Sequence, residues 1–226
     1  RFNIDFLFQG ESERDLLGYF HRILDGEKVP QYFVAEKPKW EDIPLITGAA
    51  TYGTVEIMRG CGRGCHFCTP TMRTRKSFSM DRIIKEVDTN IKCGANTIFT
   101  TSEDVLLYEC GPKFVPNRQK IVELYTAIAK RPGVKHILLS HASLAPVVCD
   151  PKLPAELAPI LLEKSPWTPE QGYRQKFVTV EVGIETGSVR IMKKHMRGKA
   201  LPFNVDKWPE LVLQGVGIMN DADWWP

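Results

Sequence analysis

Apolar positions along this chain fall into two alternating rhythms. Residues 11–27, ESERDLLGYFHRILDGE, set Leu16, Leu17, Phe20 and Leu24 at helical spacing with acids in the first turn, which predicts a helix. A polar, proline-containing connector follows to about Ile46. Beyond it, strands and helices alternate. TVEIMRG (54–60) predicts a strand, and SMDRIIKEVDTNIKCG (79–94) a helix with Ile83, Ile84, Val87 and Ile91 on one face and Gly94 at its end. NTIFTTSED (96–104) predicts a second strand. NRQKIVELYTAIAKRPG (117–133) predicts a helix capped by Asn117 and stopped by Pro-Gly. VKHILLSHAS (134–143) predicts a third strand, and PAELAPILLEK (154–164) a helix that Pro159 should bend or shorten. Residues 165–175, with Pro166, Trp167 and Pro169, read as a loop insertion. KFVTVEVGIETG (176–187) predicts a fourth strand, with short helices near 188–196 and 206–214.

This alternation predicts βαβ units and a parallel sheet, an α/β fold. Right-handed connections wind such a sheet into a barrel or a doubly wound layer, and in both the reactive groups gather at the C-terminal ends of strands. Four predicted strand ends carry polar or ligating groups: the cysteine loop, TSED, SHAS and GIETG. On the fourth strand Val178, Val180, Val182 and Ile184 alternate with Thr179, Glu181, Gly183 and Glu185. The apolar set suits a helix layer, so the polar set faces the sheet's other side.

Composition narrows the class. With 226 residues, 43% of them apolar and 25% charged, the chain has the means to bury a core and is not expected to be disordered. A net charge of +3 is too small to imply nucleic acid by itself. No stretch approaches the ~20 apolar residues of a membrane span, and the opening residues do not read as a signal peptide. Six cysteines, three of them clustered, fit metal binding in a reducing compartment better than a disulfide framework. A cytoplasmic protein is expected. Both ends read as cut, since no Met precedes Arg1 and DADWWP would more naturally lead into further structure.

The cluster is RGCGRGCHFC, residues 59–68, with three glycines among its three cysteines. A disulfide would leave one sulfur over. Glycines let the backbone take positive φ and approach a metal closely, so Cys61, Cys65 and Cys68 can point at one centre. Three thiolates suit an iron–sulfur cluster with one open iron, or a zinc ion with one open position. His66 as a fourth zinc ligand stays open, although it directly follows Cys65, which makes aiming both at one ion awkward. Three unrelated buried cysteines are the bland alternative.

Cys61-x3-Cys65-x2-Cys68, with the aromatic Phe67 before the last cysteine, resembles the signature of the radical S-adenosylmethionine (radical SAM) superfamily. The likeness runs from about residue 54 to the end. VGIETGSVRIMKKHMRGK (182–199) resembles the fourth-strand segment of its cobalamin-binding and methylthiotransferase-like branches, and LFQGESERDLLGYFHRILDGE (7–27) the closing segment of a cobalamin-binding domain. The resemblance implies a partial TIM-type parallel (β/α) barrel truncated at both ends. Residues 1–46 would be the tail of a preceding domain plus linker, and 47–226 the N-terminal part of the barrel.

It also implies cofactors and roles. A 4Fe-4S cluster on the three cysteines binds SAM through its open iron, and one electron from the reduced cluster cleaves SAM to a 5′-deoxyadenosyl radical. Phe67 would pack on the adenine, Glu185 would accept hydrogen bonds from the ribose or amino group, and Arg197 would bind the SAM carboxylate. Many members carry Gly-Gly-Glu after strand two. This chain has Ser102, Glu103 and Asp104 there, so which of these groups meets the SAM amine stays open. An electron donor such as a flavodoxin or ferredoxin is implied, the substrate is not readable, and no membrane partner is expected. Nucleic acid has no support here beyond the methylthiotransferase-like likeness. No Asp-x-His-x-x-Gly cobalamin-ligating pattern is present, so cobalamin would need residues upstream of Arg1.

The leading expectation is a radical SAM enzyme acting on an unreactive carbon, cobalamin-dependent in the full-length protein. Methylthiotransferase-like modification of tRNA or protein, and a zinc-stabilised binding module without catalysis, are the alternatives. The stretch RTRK (73–76) reads as a solvated loop ahead of one that covers the cluster or contacts an anionic substrate. Cys93, Cys110 and Cys149 read as ordinary thiols rather than an auxiliary cluster, and His136 and His141 as structural, with a substrate or proton-handling role for His141 as the weaker alternative. Trp167 and Tyr173 read equally as substrate-side or packing aromatics.

Overall fold

A computed structural model describes residues 4–69 and 73–226. The chain divides into two compact units, Arg1–Ile46 and Thr47–Pro226. In the first, β1 (Leu7–Gln9) and β2 (Tyr32–Val34) pair in parallel, Leu7 opposite Tyr32, with α1 (Leu16–Leu24) between them in sequence. Tyr19 is the buried centre, ringed by Phe8 at 5.8 Å and Phe33 at 5.0 Å. The predicted apolar face of α1 does not form this core. Leu17, Phe20 and Leu24 are exposed within the unit, because two short strands cover only the Tyr19 side of a helix that is apolar on more than one side.

The second unit is α/β with mostly parallel strands. It runs β3 (Thr54–Glu56), β4 (Met58–Arg59), β5 (Lys76–Ser77), α2 (Met80–Lys92), β6 (Thr97–Thr101), α3 (Arg118–Ala129), β7 (His136–Leu139) and β8 (His141–Ala142). It continues with α4 (Leu144–Cys149), α5 (Lys152–Glu163), β9 (Val178–Thr179), β10 (Glu181–Val182), α6 (Val189–His195), α7 (Trp208–Asp221) and β11 (Trp224–Trp225). β3, β6 and β7 form one parallel sheet in that order. β8 extends β7 past Ser140 and pairs in parallel with β10, while β9 pairs in parallel with β11. Parallel neighbours therefore follow one another in chain order. DADWWP supplies a fifth strand that periodicity alone did not reveal.

Local capping signals explain α2 and α3. Ser79 caps α2 by accepting from the Arg82 N–H, and Asn117 caps α3 through the Lys120 N–H at 3.3 Å. Pro159 does not shorten α5, which continues to Glu163 with Leu157, Ala158 and Leu161 buried. Packing of that apolar face outweighs one lost backbone bond. On the fourth strand Val178 and Val180 are buried as the alternation predicts, but the strand ends at Val182 and Ile184 is exposed. The chain turns there, with Glu185 at φ 55°.

Asn90, on the buried face of α2, is fully enclosed and joins three segments. It accepts from the Ala50 N–H at 2.8 Å and donates to the Thr54 carbonyl at 3.4 Å and the Glu86 carbonyl at 3.1 Å. Asn90→Ala removes those partners and strands the Ala50 N–H, and is expected to lower stability by ~2–3 kcal/mol. Urea unfolding should show a lower midpoint with an unchanged slope; an unchanged midpoint would contradict this account.

Candidate functional site

The cysteine loop is closed at its base by the antiparallel pair β4–β5, Met58 opposite Ser77 and Arg59 opposite Lys76. Gly60, Gly62 and Gly64 have φ of 81°, 74° and 74°, a region that L side chains avoid. At Gly60 a Cβ would sit 2.7 Å from the Thr74 carbonyl oxygen, so the closure itself excludes a side chain. Cys65 is buried among Met192, Met196, Ala200, Trp208 and Leu211, with Cys68 packed at the edge of that cluster. The His66 N–H donates to the His195 carbonyl at 2.9 Å. Arg75 of the RTRK stretch is not simply solvated: it donates to the Cys61 carbonyl at 3.3 Å and lies 4.3 Å from the Phe114 ring.

Behind the loop sits Arg63, its side chain 4% exposed. One terminal nitrogen donates to the carbonyls of Gly198, Lys199 and Leu201 at 2.9, 3.1 and 3.2 Å. The other donates to Ser143 Oγ at 2.9 Å and faces Asp104 Oδ2 at 3.3 Å. Asp104 in turn accepts from the Ser143 and Leu106 N–H groups, each at 3.3 Å, and from the Ser143 hydroxyl. Gly198 is required by this contact, since a Cβ there would lie 1.7 Å from the Arg63 carbonyl oxygen. Burial pushes the Asp104 carboxyl up from its ordinary value, against the opposing pull of Arg63 and Ser143.

The three cysteines line one cavity of about 280 Å³. All are free thiols. Phe67, Glu103, Glu185, His141 and Lys199 share its wall with Arg63, Asp104 and Ser143. Phe67 is 61% exposed where it lines this cavity. Lys199 and Glu185 form an ion pair, and His141 Nε2 lies 2.9 Å from Glu181 Oε2. Among the described residues Glu103 Oε2 is buried without a hydrogen-bond partner. Also among them, no three His, Cys, Asp or Glu side chains converge tightly enough for a single ion. The thiols surround a volume instead.

Two predicted residues lie elsewhere. Ser102 is buried in the sheet: its N–H donates to Ser140 Oγ at 3.0 Å, the Ser140 hydroxyl donates back to its carbonyl at 3.0 Å, and its own Oγ accepts from the Asp104 N–H. Arg197 does not line the cavity; its Nε donates to the Lys193 carbonyl at 2.6 Å. Reading the sequence overlooked Arg63, Ser143 and Lys199. A charged residue between two glycines inside a ligand loop was the signal for Arg63. Lys199 had none beyond its basic run. Trp167 and Tyr173 pack with Phe177 and take no part in the cavity.

Relatives can be set beside this geometry. No family model matches the chain. It is 27% identical over 137 residues to a tRNA-2-methylthio-N(6)-dimethylallyladenosine synthase of Petrotoga mobilis, covering 60% of this chain and 31% of that protein. It is 26% identical over 92 residues to the ribosomal protein uS12 methylthiotransferase RimO of Leptospira biflexa, covering 40% of this chain and 19% of that one. The chain thus spans less than a third of the length of these relatives. In fold it matches the cobalamin-dependent S-adenosylmethionine radical enzyme OxsB. The aqua-cobalamin-bound form gives a TM-score of 0.58 at 16% identity over 91% of this chain and 30% of that one. The apo form gives 0.59 at 18% identity over 95% and 31%.

This chain resembles the radical SAM superfamily. The radical SAM motif and the cavity agree in their donor set. Three free thiols on a positive-φ loop, an unpartnered buried carboxylate oxygen and a lysine–glutamate pair fit a sulfur-ligated cluster together with an amino-acid-bearing ligand. Burial raises the Cys61 thiol to about 11, and that of Cys65 upward, with Arg63 opposing the first and Lys199 the second. A metal held by these thiols would have to displace protons that the folded chain holds tightly.

The sign of that shift gives a test. The folded metal-free chain binds the Cys61 proton more strongly than the unfolded chain, whose thiol titrates near 9.0. Stability is fully present below that value and is lost as pH rises toward about 11. Urea unfolding of reduced, metal-free protein across this window should show the decline, and Cys61→Ala should flatten it. Equal slopes in the two proteins would contradict the burial of Cys61.

Proposed function

We propose that this chain is the cluster- and SAM-binding part of a radical SAM enzyme that uses cobalamin in its full-length form, and that its five parallel strand positions are an arc of a (β/α) barrel. One observation carries the reading. Three free thiols line one cavity together with Glu103, Glu185 and Lys199; Glu103 follows the C-terminal end of parallel strand β6 and Glu185 that of β10, while Lys199 lies just beyond α6. The likeness to OxsB supports the cobalamin branch. It reaches 95% of this chain, too much to leave out the 46 residues of the first unit, whose parallel β1–α1–β2 suits the end of a cobalamin-binding domain.

Cys61, Cys65 and Cys68 would hold a 4Fe-4S cluster, which when bound supplies the electron for reductive cleavage of SAM. The chain's own groups bind and orient. Glu103 Oε2 offers an acceptor to the ligand's ammonium, and Lys199 a cation to its carboxylate. Glu185 holds Lys199 in place and faces the same volume, and Phe67 offers a ring face to the adenine. Lys199 takes the role the resemblance gave to Arg197, because it lines the cavity and Arg197 does not. A flavodoxin- or ferredoxin-type donor supplies the reducing electron. Methylthiotransferase-like chemistry is the second reading, favoured by the names of the sequence relatives.

Anaerobic reconstitution with ferrous iron and sulfide should give about four irons per chain and broad visible absorption. Cys65→Ala should lose both; a Cys65→Ala protein that reconstitutes like wild type would sink the assignment. The two readings separate with methyl-labelled SAM and the full-length enzyme. Label in tRNA or ribosomal protein supports the second, and label passing through a cobalamin spectrum supports the first.

SAM titration of the reconstituted protein tests the wall. Lys199→Ala should weaken binding by about ten- to a hundredfold, the loss of one charge-assisted contact. Arg197→Ala should leave affinity within about twofold, since its lost backbone bond lies outside the cavity. The reverse ranking would return the carboxylate to Arg197.

A further inference from the structure

Arg63 has no role in ligating metal, yet it is the most connected side chain of the site. It lies between Cys61 and Cys65 in sequence, is buried, and lines the cavity. Its two terminal nitrogens reach Asp104 and Ser143, which follow β6 and β8, and the segment 198–201, which follows α6. Lys199 and Glu103, the groups facing the cavity, are in or next to those stretches. Phe114 covers the guanidinium at 4.9 Å. Nε alone is left: among the described residues it is buried without a partner.

We infer that Arg63 is a positioning residue. It registers the thiol loop against the ends of β6 and β8 and against the segment beyond α6, and its remaining Nε–H donates to the group that the thiols hold. The inference rests on the cluster reading proposed above for what occupies the loop, but the registration belongs to the chain itself. A buried positive charge and a hydrogen-bond donor beside a sulfur-ligated cluster both favour its reduced, more negative form. Asp104, on the far side of the same guanidinium, acts in the opposite sense.

The experiment uses anaerobically reconstituted protein and two readouts, iron release to a chelator and the midpoint potential followed by electron paramagnetic resonance. Arg63→Gln and Arg63→Lys should each speed iron release by about ten- to a hundredfold, as for other groups that orient metal ligands. Lysine fails with glutamine because an ammonium cannot span five partners. Arg63→Gln should shift the midpoint negative, and Asp104→Asn should shift it positive. A group that only props up the fold would not move the potential in opposite directions. Shifts of the same sign, or iron release equal to wild type in Arg63→Gln, overturn the proposal. If Arg63→Gln does not fold, Ser143→Ala removes one partner and keeps both charges. Faster iron release with an unmoved potential then supports the proposal, and unchanged release overturns it. If wild type itself takes up no iron, the cluster reading has failed on its own. Registration is then read on the iron-free chain with a neutral alkylating reagent. Arg63→Gln or Ser143→Ala should make Cys61 and Cys65 react faster while exposed Cys93 reacts unchanged, and equal rates at Cys61 and Cys65 overturn it.

Discussion

A guanidinium taken out of water is tolerated only when its charge is paired and its donors are met, because the desolvation penalty runs to several kcal/mol. Arg63 meets that condition at its two terminal nitrogens, Nε being left over, by drawing on stretches 41, 80 and 135 residues away in sequence: Asp104, Ser143 and Gly198. The rest of the site follows from it. Gly198 is glycine because the backbone of Arg63 leaves no room for a Cβ. Ser143 offers its hydroxyl to both Arg63 and Asp104, and Asp104 caps the turn that begins at Val105. Loops that look independent in sequence are thereby one assembly around a single charge.

The charges of the cavity are arranged in the same economical way. Arg63 faces Asp104, and Lys199 faces Glu185. What remains is Glu103 with one unmet oxygen, and three free thiols. The wall therefore favours a ligand that brings positive charge of its own.

Legibility from sequence was uneven for physical reasons. Helices with a capping residue and a one-sided apolar face, such as α2 after Ser79 and α3 after Asn117, were readable because cap and period are local. β11 was not: two tryptophans carry no alternation, and only pairing with β9 makes them a strand. The three cysteines, grouped by spacing, and Glu103, Glu185 and Phe67, singled out for their places after predicted strands or beside a cysteine, do share one cavity. Ser102 and Arg197 had the right neighbours in sequence but not in space. Ser102 is taken up in bracing the break at Ser140, and Arg197 folds back on its own helix. Arg63 and Lys199 acquire meaning only when segments more than a hundred residues apart meet, and no local pattern encodes that.

That separation also has a consequence in time. The carbonyl that Arg63 reaches at Gly198 is 135 residues further along the chain. At ordinary synthesis rates of about 5–20 residues per second, roughly ten seconds pass between the appearance of the thiols and that of their far anchor. During that interval the loop has its glycines and its β4–β5 base within reach, but not its back wall. Nascent cysteines of this chain thus precede their back wall, and α7, whose Trp208 and Leu211 help to enclose Cys65, follows later still.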